Sequence, residues 1–357
     1  MIAAEDAVVV EAVVVIEEIP KHFLLQWHIT ERCNLRCQHC YQDNYKNNEL
    51  PFEILVSIFE QFKGFILKLE EVANHKITAH INITGGEPFI RKDFFDLLEI
   101  FYENKKWLSF GILSNGSFID ESCAKQLKQL RPSFVQISLE GIEETHDQIR
   151  GTGHFQECIS ALKYLQKQQI KTLISFTAHK NNYQQFQEVA EIGRQLKVNR
   201  VWSDRLIPCG SGSDLQTLNS EETLHFFQMM SETKRKIEKK WFNQTEVALH
   251  RALQFLVGGN AYKCSAGKSL LTIQPNGDVY PCRRMPIKVG NVLEMNLFNI
   301  YQQNILLQQL RDKTKTSKGC EKCFYEKHCR GGLKCLSYAL TNDPFQADPS
   351  CWLANHH

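Results

Sequence analysis

Three cysteines, Cys33, Cys37 and Cys40, share the short run CNLRCQHC. Three thiolates on one loop can ligate three irons of a cubane iron–sulfur cluster and leave the fourth iron open. A zinc knuckle is the alternative, with His39 completing the set, although a residue between two ligating cysteines is awkwardly placed to join them. A second group, Cys264, Cys282, Cys320, Cys323, Cys329, Cys335 and Cys351, crowds the last quarter of the chain. Thiols without accompanying histidine pairs suit iron–sulfur better than zinc. With Cys123, Cys158 and Cys209 the total is 13, an odd number that argues against a closed set of disulfides.

Composition narrows what such groups are for. The 357 residues are 43% hydrophobic and 23% charged, enough for one large or two modest globular domains. Lysine plus arginine less aspartate plus glutamate is 42 − 40 = +2, so no basic field exists to hold nucleic acid or an anionic membrane. The opening MIAAEDAVVVEAVVVIEEIP is interrupted by acids and has no basic start, which excludes a signal peptide and a transmembrane span. A reducing cytoplasm is the expected location, and there clustered cysteines hold metal more readily than they pair. The repeated AVVV at 7–10 and 12–15 reads as an edge strand or a short recognition element for a partner.

The elements that must position these residues read as six βα units of a partial, TIM-like α/β barrel. Strands are predicted at 24–29, 76–83, 108–113, 133–139, 171–177 and 200–206, with helices between them, among them 52–72, 94–104 and 186–196. In such parallel architectures chemistry collects on the loops after the strand C-termini. Residues 1–23 form an acidic, Val-rich extension, 24–212 the barrel and 213–262 a helical bridge whose helix opens on the S-x-E of SEETLHFF. The remainder, 263–357, reads as a small cysteine-rich domain held together by metal more than by an apolar core. Cys123 and Cys158 fall on helical patterns and read as structural.

CxxxCxxC after the first strand and GGEP after the second together resemble radical S-adenosylmethionine (radical SAM) enzymes. The resemblance implies a [4Fe-4S] cluster on Cys33, Cys37 and Cys40, whose open iron chelates the amino and carboxylate groups of S-adenosylmethionine. It places Gly85, Gly86, Glu87 and Pro88 at the cofactor, with Glu87 taking up its amine. Asn115 in LSNG, and Ser138 with Glu140 in SLEG, would contact the cofactor too, the latter pair at its ribose and methionine moieties. Arg150 would stand near its carboxylate, and the stretch from Ile207 to Gly210 would hold adenine. The terminal cysteines resemble the SPASM domain, which carries two auxiliary iron–sulfur clusters. That pattern assigns Cys320, Cys323, Cys329 and Cys351 to one cluster and Cys264, Cys282 and Cys335 to the other. Two features depart from it: CRGGLKC has five intervening residues where the family usually has three, and the second cluster lacks an obvious fourth ligand, for which Cys209 is conceivable.

The implied chemistry is one-electron cleavage of the cofactor to methionine and a 5′-deoxyadenosyl radical that abstracts hydrogen, with a reductase, flavodoxin or ferredoxin as electron donor. Enzymes of this type act largely on peptides. The expected function is maturation of a ribosomally made precursor peptide by crosslinking or backbone modification. The chain is short for such a maturase, so a separate leader-recognition protein is expected, unless the Val-rich N-terminus docks the leader as an added strand. Anaerobic sulfatase maturation is an alternative, yet those enzymes place an aspartate base where Arg283 stands, and a guanidinium cannot accept that proton. Arg283 and Arg284 read either as contacts to an acidic peptide segment or as a solvated basic patch. Peptide epimerisation with Cys209 as hydrogen donor, and electron transfer without catalysis, complete the alternatives.

Overall fold

A computed structural model describes residues 19–46 and 49–354; the AVVV repeat lies outside the described residues. Strands β1 (His22–His28), β2 (Thr78–Thr84), β3 (Leu108–Ser114), β4 (Phe134–Ser138), β5 (Thr172–Ala178) and β6 (Arg200–Arg205) pair in parallel, each with the next. Between them run α1 (Phe52–Ala73), α2 (Phe94–Glu103), α3 (Glu121–Leu130), α4 (Glu143–Arg150), α5 (His154–Lys167) and α6 (Phe186–Gln195). The six predicted βα units are present, with ends within two residues of expectation.

The period-two alternation of the strands sorts them into two chemistries. On β1, Phe23, Leu25 and Trp27 are buried towards the helices, where Phe23 meets Phe62 and Phe65 of α1 and Trp27 meets Phe101 of α2. The intervening Leu24 and Gln26 line a cavity inside the barrel. Asn82, Gln136, Ser138, Ser175 and Trp202 line it from the neighbouring strands. These polar groups serve one another: Trp202 Nε1 donates to Gln136 Oε1 at 3.1 Å and Gln136 Nε2 to Ser175 Oγ at 3.1 Å. Helix α1 supplies the complementary apolar stripe, with Leu55, Ile58, Phe59, Phe62, Phe65, Ile66 and Leu69 buried at helical spacing.

Two expectations are corrected. The bridge over 213–262 has, besides a short 3-10 turn at Gln254–Val257, one α-helix, α7 (Ser220–Glu238), whose cap is Asn219 in a reciprocal capping box with Glu222, not Ser220. The chain then forms β7 (Glu246–Ala248), which pairs in parallel on β6; three residues are too short a run for periodicity to reveal. The C-terminal segment also shares the barrel's core. Its first strand, β8 (Leu270–Ile273), pairs in parallel with β1, and β9 (Asp278–Tyr280) and β10 (Gly290–Asn291) continue the sheet antiparallel. Helix α8 (Leu297–Gln303) packs on α1, and its Tyr301 ring lies edge-on to Phe23 and Phe65 at 5.8 and 5.4 Å. Helices α9 (Ile305–Arg311), α10 (Glu326–Cys329) and α11 (Lys334–Thr341) complete the segment. Apolar burial, not metal alone, therefore fixes it to the barrel. Among the described residues no helix is long and apolar enough to cross a membrane.

A buried ion pair ties the two parts at the end of β6. Arg205 Nη1 and Nη2 donate to the two carboxylate oxygens of Asp348 at 2.8 and 2.6 Å, and both side chains are about 1% exposed. Asp348 also accepts from the backbone N–H of Leu333 and Ser350, shaping the segment that carries Cys335 and Cys351. Removing one partner strands a buried charge. Asp348→Ala is expected to lower unfolding stability by about 3–5 kcal/mol in urea titrations, and the double variant Arg205→Met/Asp348→Leu to recover much of that loss.

Candidate active site

The loop leaving β1 carries Cys33, Cys37 and Cys40 and forms neither helix nor strand through residue 46. Its shape comes from the turns pressed against it. Gly86 N–H donates to Thr30 O and Glu87 N–H to Arg32 O, both at 2.8 Å. A Cβ at Gly85 would stand 2.5 Å from Thr30 O, and one at Gly86 2.3 Å from Arg32 O, so only glycine lets GGEP seat here. The close approach anticipated for these glycines is thus made first to the protein's own backbone. From the other side Gly212 N–H donates to Cys40 O at 3.0 Å, and Gly210, at φ +57°, leaves no room for a Cβ beside Tyr41. Asn115 Nδ2 donates to Asn34 Oδ1 at 2.8 Å, and Gln38 N–H to Ile149 O at 2.9 Å.

Behind the loop lie two buried carboxylates. Glu87 is fully buried; it accepts from Ser114 Oγ at 2.9 Å, Asn115 N–H at 2.7 Å and Phe89 N–H at 3.3 Å. Burial pushes its pKa up to about 7 despite these donors. Its carboxylate faces inward and joins the β2 and β3 turns, and Gly85 and Gly86 form the cavity wall instead. Glu140 is equally buried and binds Arg150 Nη2 at 2.6 Å, His39 Nε2 at 3.2 Å and Thr177 N–H at 2.8 Å. Burial disfavours its charge, yet His39 and Arg150 outweigh that and hold the carboxyl well below the usual range. Glu140 is off the wall and holds Arg150, which with Ser138 does line the cavity. Pro88 opens a short 3-10 turn and is buried.

The cavity measures about 290 Å³, and Cys33, Cys37 and Cys40 share its wall with Cys264, Cys282 and Cys335. The other four, Cys320, Cys323, Cys329 and Cys351, surround a separate small hollow. The structure thus groups the cysteines as the SPASM resemblance divides them, including Cys335 despite its unusual spacing. Cys209 is on neither wall; it packs against the core, and burial pushes its thiol up to about 11. Ile207 lines the cavity, whereas Gly210 serves the loop. Arg283 and Arg284 are on the wall, not in a solvated patch. Arg284 Nη1 donates to Asp204 Oδ2 at 2.7 Å, and Arg283 lies over the Tyr41 ring at 4.2 Å.

Residues 27–192 match the family model described as Radical SAM superfamily, and residues 264–324 match SPASM, an iron–sulfur cluster-binding domain. Mycofactocin maturase MftC of Mycobacterium tuberculosis is 30% identical, over 92% of this chain and 82% of its own length. The chain belongs to the radical SAM superfamily. The AdoMet-dependent heme synthase of Methanosarcina barkeri is 26% identical over 92% of this chain and 95% of its own length. Streptococcus suis SuiB bound to S-adenosylmethionine superposes with a TM-score of 0.74 at 19% identity, covering 94% of this chain and 77% of that one. Bound to precursor peptide SuiA, it gives 0.73 at 20% identity, covering 93% and 75%. As a radical SAM enzyme with a SPASM domain, this protein uses S-adenosylmethionine, a [4Fe-4S] cluster and auxiliary iron–sulfur clusters.

The radical SAM site suits those groups. Arg150 Nε is buried without a partner beside Cys37, as a guanidinium awaiting a carboxylate would be. Burial pushes Cys33 up to about 11, so its thiolate needs a cation to be stable. Sequence reasoning missed the layer beneath Glu140. Its N–H donates to His146 Nδ1 at 3.1 Å, which leaves the proton on Nε2 to bridge to His154 Nδ1 at 2.8 Å, with Cys158 alongside. These groups could ligate a metal by type, but a direct imidazole–imidazole hydrogen bond occupies the space between the nitrogens. The His-x7-His-x3-Cys spacing across α4 and α5 was the available signal.

Two outcomes follow from this construction. Gly86→Ala should displace the cysteine loop and lower the iron content of reconstituted protein by about four atoms per chain, leaving the C-terminal clusters intact. Burial also holds His146 at about 3 and His154 at about 4, below the ordinary 6.5. The folded state then binds fewer protons than the unfolded, so stability should fall as pH drops from 6.5 towards 4. In His146→Gln/His154→Gln, urea midpoints measured across that range should depend less on pH.

Proposed function

We propose that this enzyme is a peptide maturase that oxidises a side-chain or backbone carbon of a ribosomally made precursor. The carrying observation is that the cysteines of the CxxxCxxC loop and those of one C-terminal group line a single cavity, so that a substrate carbon bound there lies between two cluster sites. Cys33, Cys37 and Cys40 would hold the [4Fe-4S] cluster, which with S-adenosylmethionine supplies a carbon-centred radical. Cys264, Cys282 and Cys335 would hold an auxiliary cluster, whose chemistry is to accept an electron. Around them the protein's own work is to orient and to exclude water. Glu140 holds Arg150, which would face the cofactor carboxylate, Ile207 would give adenine an apolar contact, and the polar strand face of Gln26, Asn82, Gln136 and Ser138 would orient the substrate. The 30% identity to a named maturase and the fold shared with a peptide-bound enzyme support this reading. A separate leader-recognition protein and a flavodoxin, ferredoxin or reductase as electron donor belong to the same proposal.

A second reading, modification of a tetrapyrrole, is favoured by the likeness to the heme synthase over 92% of this chain. Sulfatase-type maturation is disfavoured, since Arg283 stands where those enzymes place a base. Co-expression with a small peptide encoded beside this chain separates the readings by mass: loss of two hydrogens marks a crosslink, no change an epimer and a larger loss excision. If no peptide changes but Fe-coproporphyrin III is converted anaerobically, the tetrapyrrole reading takes its place. Replacing Cys33, Cys37 and Cys40 together by alanine should abolish 5′-deoxyadenosine formation, measured by chromatography, while C-terminal cluster absorbance persists.

A further inference from the structure

Five guanidinium groups reach the cavity wall, and four of them have a carboxylate partner. Arg150 is held by Glu140 at 2.6 Å and Arg205 by Asp348 at 2.6 Å. Arg284 and Arg251 share Asp204, at 2.7 and 3.7 Å. Arg283 is left over. Among the described residues it forms no ion pair and no hydrogen bond; its one contact of note is the face of Tyr41, 4.2 Å from the guanidinium carbon. Stacking on a ring fixes the plane of the group while leaving its N–H donors free in that plane. It also places Arg283 between the two cysteine groups, since Tyr41 follows Cys40 and Arg283 follows Cys282.

We propose that Arg283 docks a carboxylate of the substrate. The proposal rests on the reading above that the substrate enters this cavity. A cation removed from bulk water without a counter-ion is costly, and a substrate carboxylate would relieve that cost through the bidentate geometry a guanidinium offers. Arg150 already stands with a free Nε beside the loop that would carry the cofactor's cluster, so Arg283 remains for the substrate. The carboxylate could be a peptide C-terminus or acidic side chain, or a tetrapyrrole propionate; the chemistry recognised is the same.

The test uses anaerobically reconstituted enzyme with saturating S-adenosylmethionine throughout, so that the cofactor's own carboxylate site is filled. Arginines are labelled with p-hydroxyphenylglyoxal and mapped by mass spectrometry, with trialanine or its C-terminal amide, and coproporphyrin III or its tetramethyl ester, as probes. Arg283 should label faster than the paired Arg284 and Arg205, and a probe bearing free carboxylate should slow it about ten-fold while its neutral analogue does not. Protection by trialanine identifies a peptide source, and protection by coproporphyrin III a tetrapyrrole source. Arg283→Gln should weaken binding of the protecting probe about ten- to hundred-fold, with Arg283→Lys between.

Three results would overturn the assignment: Arg283 as unreactive as Arg284 before any probe is added, meaning cluster or cofactor already consumes its charge; equal protection by the neutral analogues; or no protection by either acid. The two proposals fail separately. If a modified peptide forms but Arg283→Gln binds the acid probe as the wild type does, only the carboxylate assignment falls. If the acid probe protects Arg283 but no peptide product appears, only the maturase reading falls.

Discussion

Everything at this site depends on a loop that cannot shape itself. The stretch from Ile29 to Lys46 has no helical or strand hydrogen bonds of its own, yet three thiols on it must converge. Backbone polar groups in a packed setting must find partners. Here they find them in the turns after β2 and β6 and in the backbone at the end of α4, with side-chain support from the β3 turn. Those contacts are short because the partner positions are glycines, and a single methyl group at Gly85, Gly86 or Gly210 would collide with loop backbone. The motifs around the barrel rim thus act on the cysteine loop before they act on any ligand.

The same economy explains the two buried carboxylates. Glu87 and Glu140 each sit behind the wall and spend their lone pairs on neighbouring turns and on Arg150. An ionised group in such a place is tolerable only when fully partnered. Glu140, which faces two basic groups, stays ionised, whereas Glu87, which receives mainly neutral N–H and O–H donors, is pushed towards neutrality. The paired layer of His146, His154 and Cys158 then supports the Glu140 backbone from below.

The C-terminal domain is an extension of the barrel in its first half and a cysteine-rich segment in its second. Strand β8 lengthens the parallel sheet, Tyr301 enters the Phe23–Phe65 cluster, and Arg205 reaches across to Asp348. Cys264, Cys282 and Cys335 are thereby carried to the cavity by apolar packing and one buried ion pair. The distance of Cys335 from Cys329 in sequence matters little once α11 sets its place.

Sequence alone determined the six βα units and the family, because alternation, the CxxxCxxC spacing and GGEP are local patterns that survive without tertiary context. It could not determine which side of a turn a side chain faces. Glu87 and Glu140 read as ligand contacts and Cys209 and Arg283 as ambiguous, since direction depends on what packs against each turn. Short β7 and the shared core of residues 264–311 were hidden for a related reason: a three-residue strand and a scattered apolar pattern acquire meaning only beside β6, β1 and α1. Pairings across long separations, such as Arg205 with Asp348 or Asp204 with Arg284, were decided by the tertiary structure alone, because charge complementarity has no period along a chain.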